Sequence, residues 1–63
     1  MTITGTTRLL AIIGNPVAPL RSPGFFNDIF ARIGRDMAFV AFQIPKGSLA
    51  ASWPAFLAMK NLD

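Results

Sequence analysis

At 63 residues the chain is shorter than the roughly 70–80 at which one apolar core gives comfortable stability without staples, and it has no cysteine or histidine for a disulfide or an ordinary zinc site. It is 52% hydrophobic and only 14% charged, against about 25% charged for an average soluble domain, so it reads as the interior-rich fragment of something larger. Its net charge of +3 comes from scattered residues (Arg8, Arg21, Arg32, Arg35, Lys46 and Lys60), of which only Arg32 and Arg35 share a helical turn, and this excludes the clustered basic stripe of a nucleic-acid surface.

The longest aliphatic run, Leu9 to Ile13, falls far short of the roughly 20 residues of a membrane span. It is also shorter than the roughly 7–15 apolar residues of a signal-peptide core. No membrane partner is expected, and a cytoplasmic location follows as the expectation.

Taken in order, Met1 to Thr7 is polar and threonine-rich and reads as a lead-in with little to pack. Leu9, Leu10, Ala11, Ile12 and Ile13 then form a continuous apolar run, the pattern of a strand covered on both faces. Gly14 is expected to end it with a residue free to take positive φ, and Pro16 prevents further pairing as a central strand. Pro19 adds a second fixed φ, so residues 15–21 read as an ordered loop.

Ser22-Pro23 is a helix start signal: the serine oxygen can accept from the free N–H groups of the first turn, and proline in that turn loses no hydrogen bond. Phe25, Phe26, Ile29, Phe30 and Ile33 recur at helical spacing and predict a core-facing stripe, with Asn27, Asp28, Ala31 and Arg32 elsewhere on the helix. Gly34 is expected to close the helix in the left-handed conformation. Met37 to Ile44 predicts a second buried strand, ended by Pro45. After Gly47 and Ser48 comes a helical stretch from Leu49 to about Asn61, with Leu49, Trp53, Phe56 and Leu57 on one face. Because proline in a helix interior costs about 3 kcal/mol, Pro54 predicts a short turn ending near Ser52 and a helix restarting at Trp53.

Strand, helix, strand and helix spell an α/β fold, the βαβα start of a mostly parallel three-layer domain. A third strand is due where the chain reaches Asp63, so residues 1–63 read as incomplete.

In such sheets ligands bind beyond the carboxyl ends of the strands, which is where residues 15–21 must lie. Ser22 is the polar group best placed there, at a helix start that favours a carboxylate or other anion. A pure N-cap and a ligand contact are both open to it. Arg21 is either a bidentate partner for a substrate carboxylate or a solvated loop residue. Asn15 suits the turn, and Lys60 suits a helix C-terminus. No nucleophile with a base, carboxylate pair, metal cluster, G-x-G-x-x-G or P-loop is present, so no catalytic or cofactor-binding residue is named.

With these elements placed, Thr6 to Ala18 (Thr-Thr-Arg-Leu-Leu-Ala-Ile-Ile-Gly-Asn-Pro-Val-Ala), then Ser22-Pro23 and Asn27, resembles the N-terminus of the shikimate dehydrogenase family. The likeness continues through Ile33-Gly34-Arg35-Asp36, Phe39 to Phe42 and Ser48-Leu49-Ala50-Ala51. It implies the N-terminal part of the substrate-binding domain of an oxidoreductase that reduces 3-dehydroshikimate with NADPH in aromatic amino-acid biosynthesis. It also allows a homodimer. In the family the loop reads G-x-P-V-x-H-S-x-S-P, and its two serines hold the substrate carboxylate. The second serine falls on Ser22, the first on Leu20 and the histidine on Pro19.

Leu20 cannot donate a hydrogen bond, and losing one to a charged group costs roughly 1.5–3 kcal/mol. The altered loop therefore resembles the quinate-using and dehydrogenase-like paralogues more than the standard biosynthetic enzyme. If the loop is extended, Leu20 and Ser22 share a side and Arg21 faces away. The family's N-x-T-x-P-x-K lysine, its aspartate partner and the Rossmann domain that binds NADP are absent from these residues, and Lys60 does not match that lysine. A catalytically silent binding homologue, and an unrelated flavodoxin-like domain start, stay open as alternatives.

Overall fold

A computed structural model describes residues 2–63. Strand β1 (Arg8–Gly14), helix α1 (Ser22–Arg32), strand β2 (Met37–Gln43) and helix α2 (Leu49–Ala58) follow one another. The strands pair in parallel with Leu10 opposite Phe39 and Ile13 opposite Phe42, the α/β arrangement that the pattern of apolar runs implies. Phe39 stacks on Phe26 of α1, ring centroids 5.1 Å apart, whereas Phe42 stacks on Phe56 of α2 at 5.5 Å. Three residues apart on one strand, Phe39 and Phe42 point to opposite faces, so each helix addresses its own face of the sheet.

The continuous apolar runs explain why both faces must be met, and the centre of the resulting core is Ala38 and Phe39, both buried. The helical stripes are covered only in part. Phe26 stacks on Phe39 of β2 and Ile29 and Phe30 are half-buried, but Phe25 is 64% exposed and Ile33 65%, and on α2 Leu49, Trp53 and Leu57 are exposed as well. Periodicity fixes which residues share a face; it cannot say how wide the covering surface is.

Several local expectations are corrected. Gly14 does not turn the chain with positive φ. It remains in β1 opposite Gln43, its carbonyl accepts from Ile44 N–H at 3.1 Å, and among the described residues positive φ occurs only at Gly34 and Gly47. Ile44 falls just outside β2.

Gly34, at φ 68°, does close α1. Its N–H donates to the Ala31 carbonyl at 3.3 Å and the Arg35 N–H to the Phe30 carbonyl at 2.9 Å, the paired bonds of a Schellman ending.

Helix α2 is continuous through Pro54 and does not restart at Trp53. The donor that proline lacks would have met the carbonyl of Ala50, which lies on exposed surface, where water can replace it. The helix also stops at Ala58, short of Asn61, because the following residues are drawn to the free edge of β1. Leu9 N–H donates to the Asn61 carbonyl at 2.7 Å and Asp63 N–H to the Leu9 carbonyl at 2.8 Å, a parallel bridge between Leu9 and Leu62. Arg8 fastens it, donating to both Asp63 carboxylate oxygens at 2.7 and 2.6 Å and to the Lys60 carbonyl at 2.9 Å. Lys60 is therefore a connector residue beyond the helix.

The threonine-rich lead-in also packs. Met1 lies outside the described residues, but Thr7 is only 3% exposed. The Thr6 and Thr7 hydroxyls each donate to the Asp36 carboxylate at 2.6 Å, and Thr4 N–H donates to Thr7 Oγ1 at 3.0 Å. These two donors hold the Asp36 carboxyl below its usual range.

Candidate functional site

The loop from Asn15 to Arg21 leaves the carboxyl end of β1 and returns into α1, the position at which open α/β sheets bind ligands. It begins with a cis Asn15–Pro16 peptide bond. Leu20 N–H then donates to the Val17 carbonyl at 3.0 Å, closing a turn over Ala18 and Pro19. The segment is thus folded rather than extended, and because Arg21 is near-helical and Ser22 already belongs to α1, the strand-like alternation considered for Leu20, Arg21 and Ser22 does not apply.

Ser22 is the first residue of α1, and the cap position is Arg21, whose backbone is already near-helical at φ −103° and ψ −11°. A serine caps with its side chain when its own backbone is extended. Here winding begins one residue early, Phe25 N–H donates to the Arg21 carbonyl at 3.2 Å, and no side chain caps the helix. The N-cap role expected of Ser22 is corrected accordingly. Ser22 is half-buried, and its hydroxyl is not used by the helix.

Leu20 is half-buried and Arg21 exposed. Arg21 is the one charged residue between Asn15 and Ser22, so this loop offers an anion one positive side chain, beside the free N–H groups of the first turn of α1 and the Ser22 hydroxyl. The arrangement suits a small carboxylate or similar anion. Among the described residues there is no group of three acidic, cysteine or histidine side chains that could hold a metal.

A sizeable cavity lies elsewhere. It holds about 480 Å³ between the edge of β1 at Ala11–Ile13 and the α2 residues Trp53, Phe56 and Leu57, with Leu62 at one end. It is apolar and includes none of residues 15–22. Leu20, Arg21 and Ser22 come together only as neighbours in one turn of chain.

Two residues passed over as site components hold the loop and its helix. Gln43, the last residue of β2, accepts the Val17 N–H on Oε1 at 3.3 Å. Asn27 donates through Nδ2 to the Phe39 carbonyl at 2.9 Å and accepts the Phe39 N–H on Oδ1 at 2.7 Å. A polar residue at the end of a strand and another within a helix's apolar stretch were the available signals.

Along most of its length the chain is similar to proteins named shikimate dehydrogenase (NADP(+)). It is 44% identical over 59 residues to one from Geobacter sp., which covers 94% of this chain and 20% of that protein. It is 39% identical over 59 residues to one from Citrifermentans bemidjiense, again 94% of this chain and 20% of that protein. With one from Anaeromyxobacter dehalogenans the identity is 48% over 42 residues, 67% of this chain and 15% of that protein. No family model matches the chain, and no solved structure does. No helix among the described residues is long and apolar enough to cross a membrane. The chain spans about a fifth of the length of the curated relatives it matches, and over that span its sequence is similar to shikimate dehydrogenases.

Proposed function

We propose that residues 1–63 are the N-terminal part of the substrate-binding domain of an NADP-dependent shikimate dehydrogenase-like oxidoreductase. The loop 15–21 and Ser22 hold the carboxylate of a small hydroxy acid of the shikimate or quinate type. The observation that carries this reading is the Ser22 hydroxyl. Ser22 is half-buried at the start of α1, its hydroxyl uncommitted to capping that helix, in a segment similar to proteins whose name states that activity.

Ser22 donates one hydrogen bond to the carboxylate, and Arg21 supplies the adjacent positive charge. Leu20 contributes apolar surface where a second donor would stand, which favours a substrate whose carboxylate is held by fewer direct bonds. Quinate or a related hydroxy acid is the second reading on that ground, and a homologue that binds without turning over is the third. NADP is held outside these residues, which contain no glycine-rich phosphate-binding turn, and the hydride chemistry is the cofactor's. The domain acts in the cytoplasm.

The test is an activity screen of the full-length protein with shikimate and quinate, each with NADP and with NAD. Turnover of shikimate with NADP is expected. Turnover of quinate alone supports the second reading, and absence of turnover with tight shikimate binding supports the third. Absence of both turnover and binding, for shikimate and quinate alike, overturns the proposal.

A further inference from the structure

We infer that Gln43 is a positioning residue for the carboxylate loop, resting on the function proposed above. Loop residues 15–21 have one hydrogen bond to the sheet among the described residues, the Val17 N–H donated to Gln43 Oε1 at 3.3 Å. The only other bonds tying the loop are local: Leu20 N–H to the Val17 carbonyl at 3.0 Å, and the Phe25 N–H to the Arg21 carbonyl at 3.2 Å. Val17 therefore carries two of these three ties. Its carbonyl closes the turn that places Leu20, and its N–H fixes that turn against the end of β2.

The position of Gln43 makes this tether well aimed. It lies opposite Gly14 in the sheet, so its side chain starts at the same level as the residue from which the loop departs. The adjoining Ile44 N–H to Gly14 carbonyl bond, at 3.1 Å, locks the two strand ends together beneath it. A rigid strand end thus supports a site-bearing loop through one side-chain amide, and loosening that amide misplaces Leu20, Arg21 and Ser22 together. Because the acceptor is the amide oxygen, a carboxylate of similar reach keeps the tether and an aliphatic side chain of similar volume removes it.

The experiment compares Gln43→Leu and Gln43→Glu with wild type in the full-length protein, reading KM for the hydroxy acid, KM for NADP, kcat, and the exchange rate of the Val17 amide. With Gln43→Leu, KM for the hydroxy acid rises three- to tenfold, KM for NADP is unchanged, and Val17 exchange accelerates at least tenfold. Gln43→Glu keeps the slow exchange and restores most of the hydroxy-acid KM. Slow Val17 exchange in Gln43→Leu, or unchanged substrate KM despite fast exchange, overturns the inference. So does a Gln43→Glu variant with slow exchange that binds substrate more weakly than Gln43→Leu, since Gln43 would then contact the substrate itself. If the protein turns over no hydroxy acid, the exchange rates still decide whether Gln43 holds the loop, and only the functional reading fails.

Discussion

Asn27 takes both backbone groups of Phe39, accepting its N–H at 2.7 Å and donating to its carbonyl at 2.9 Å. Phe39 lies opposite Leu10, but in a parallel ladder successive residues direct their backbone groups to alternate sides. The primary amide supplies one donor and one acceptor in the spacing of a peptide group, and so acts as a one-residue strand on the outer edge of β2. It joins α1 to the sheet at the most buried aromatic residue, and it ties the helix that begins with Ser22 to the strand that ends with Gln43.

Replacing Asn27 by Ala leaves the Phe39 N–H and carbonyl without these partners. A half-buried backbone group that loses its partner costs about 1–3 kcal/mol, and urea denaturation of the full-length protein is expected to show a loss in that range. Asn27→Asp keeps the acceptor but sets a carboxylate against the Phe39 carbonyl, so it is expected to be at least as damaging above the carboxylate pKa and milder in acid.

Restoring a donor in the loop tests the role of position 20. Leu20→Ser in the full-length protein is expected to lower the KM for shikimate about tenfold, as a hydrogen bond to a charged group would, with little effect on the KM for NADP. Ser22→Ala is expected to raise the hydroxy-acid KM by a similar factor while leaving helix stability nearly unchanged, because Ser22 does not cap α1.

The Asp36 clasp has a defined pH signature. The Thr6 and Thr7 hydroxyls lower the Asp36 pKa from its ordinary 3.8, so the folded form prefers the carboxylate. Its contribution to stability is present above pH 3.8 and is lost as pH falls through the lower folded value. An NMR titration of the Asp36 carboxyl carbon is expected to give a midpoint below 3.8, returning toward it in a Thr6→Val, Thr7→Val double variant. The Asp63 carboxyl, lowered by its hydrogen bond to Arg8, is expected to shift in the same direction and to recover in Arg8→Gln.

Gly34 is held at φ 68° with open space where a Cβ would project. Gly34→Ala therefore meets backbone strain alone and is expected to destabilise by about 1–2 kcal/mol, with Gly34→Asn costing less. Equilibrium denaturation of the two variants separates them.

The isolated 63-residue chain is expected to melt without a cooperative transition. Ala38 and Phe39 are its buried apolar residues, while Phe25, Trp53 and Leu57 remain 49–71% exposed, too little burial for a core of this size. A sharp calorimetric peak would show that the exposed stripes are not needed for folding.

The order and type of the four elements were written in local pattern. Continuous apolar runs made strands, 3.6-residue spacing made helices, and Gly34 and the proline-rich loop fell where chain geometry demands them. These features depend on residues within a turn or two of one another. Tertiary structure decided where Ser22 sits in the first turn of α1, how far α2 runs, and which side chains became clasps. Thr6 meets Asp36 across 30 positions and Arg8 meets Asp63 across 55; Asn27 gains its role only once β2 lies beside α1, and Gln43 only once the loop lies beside the end of β2. A polar side chain's partner is set by distances that the folded backbone creates, so its role cannot be read from spacing along the chain.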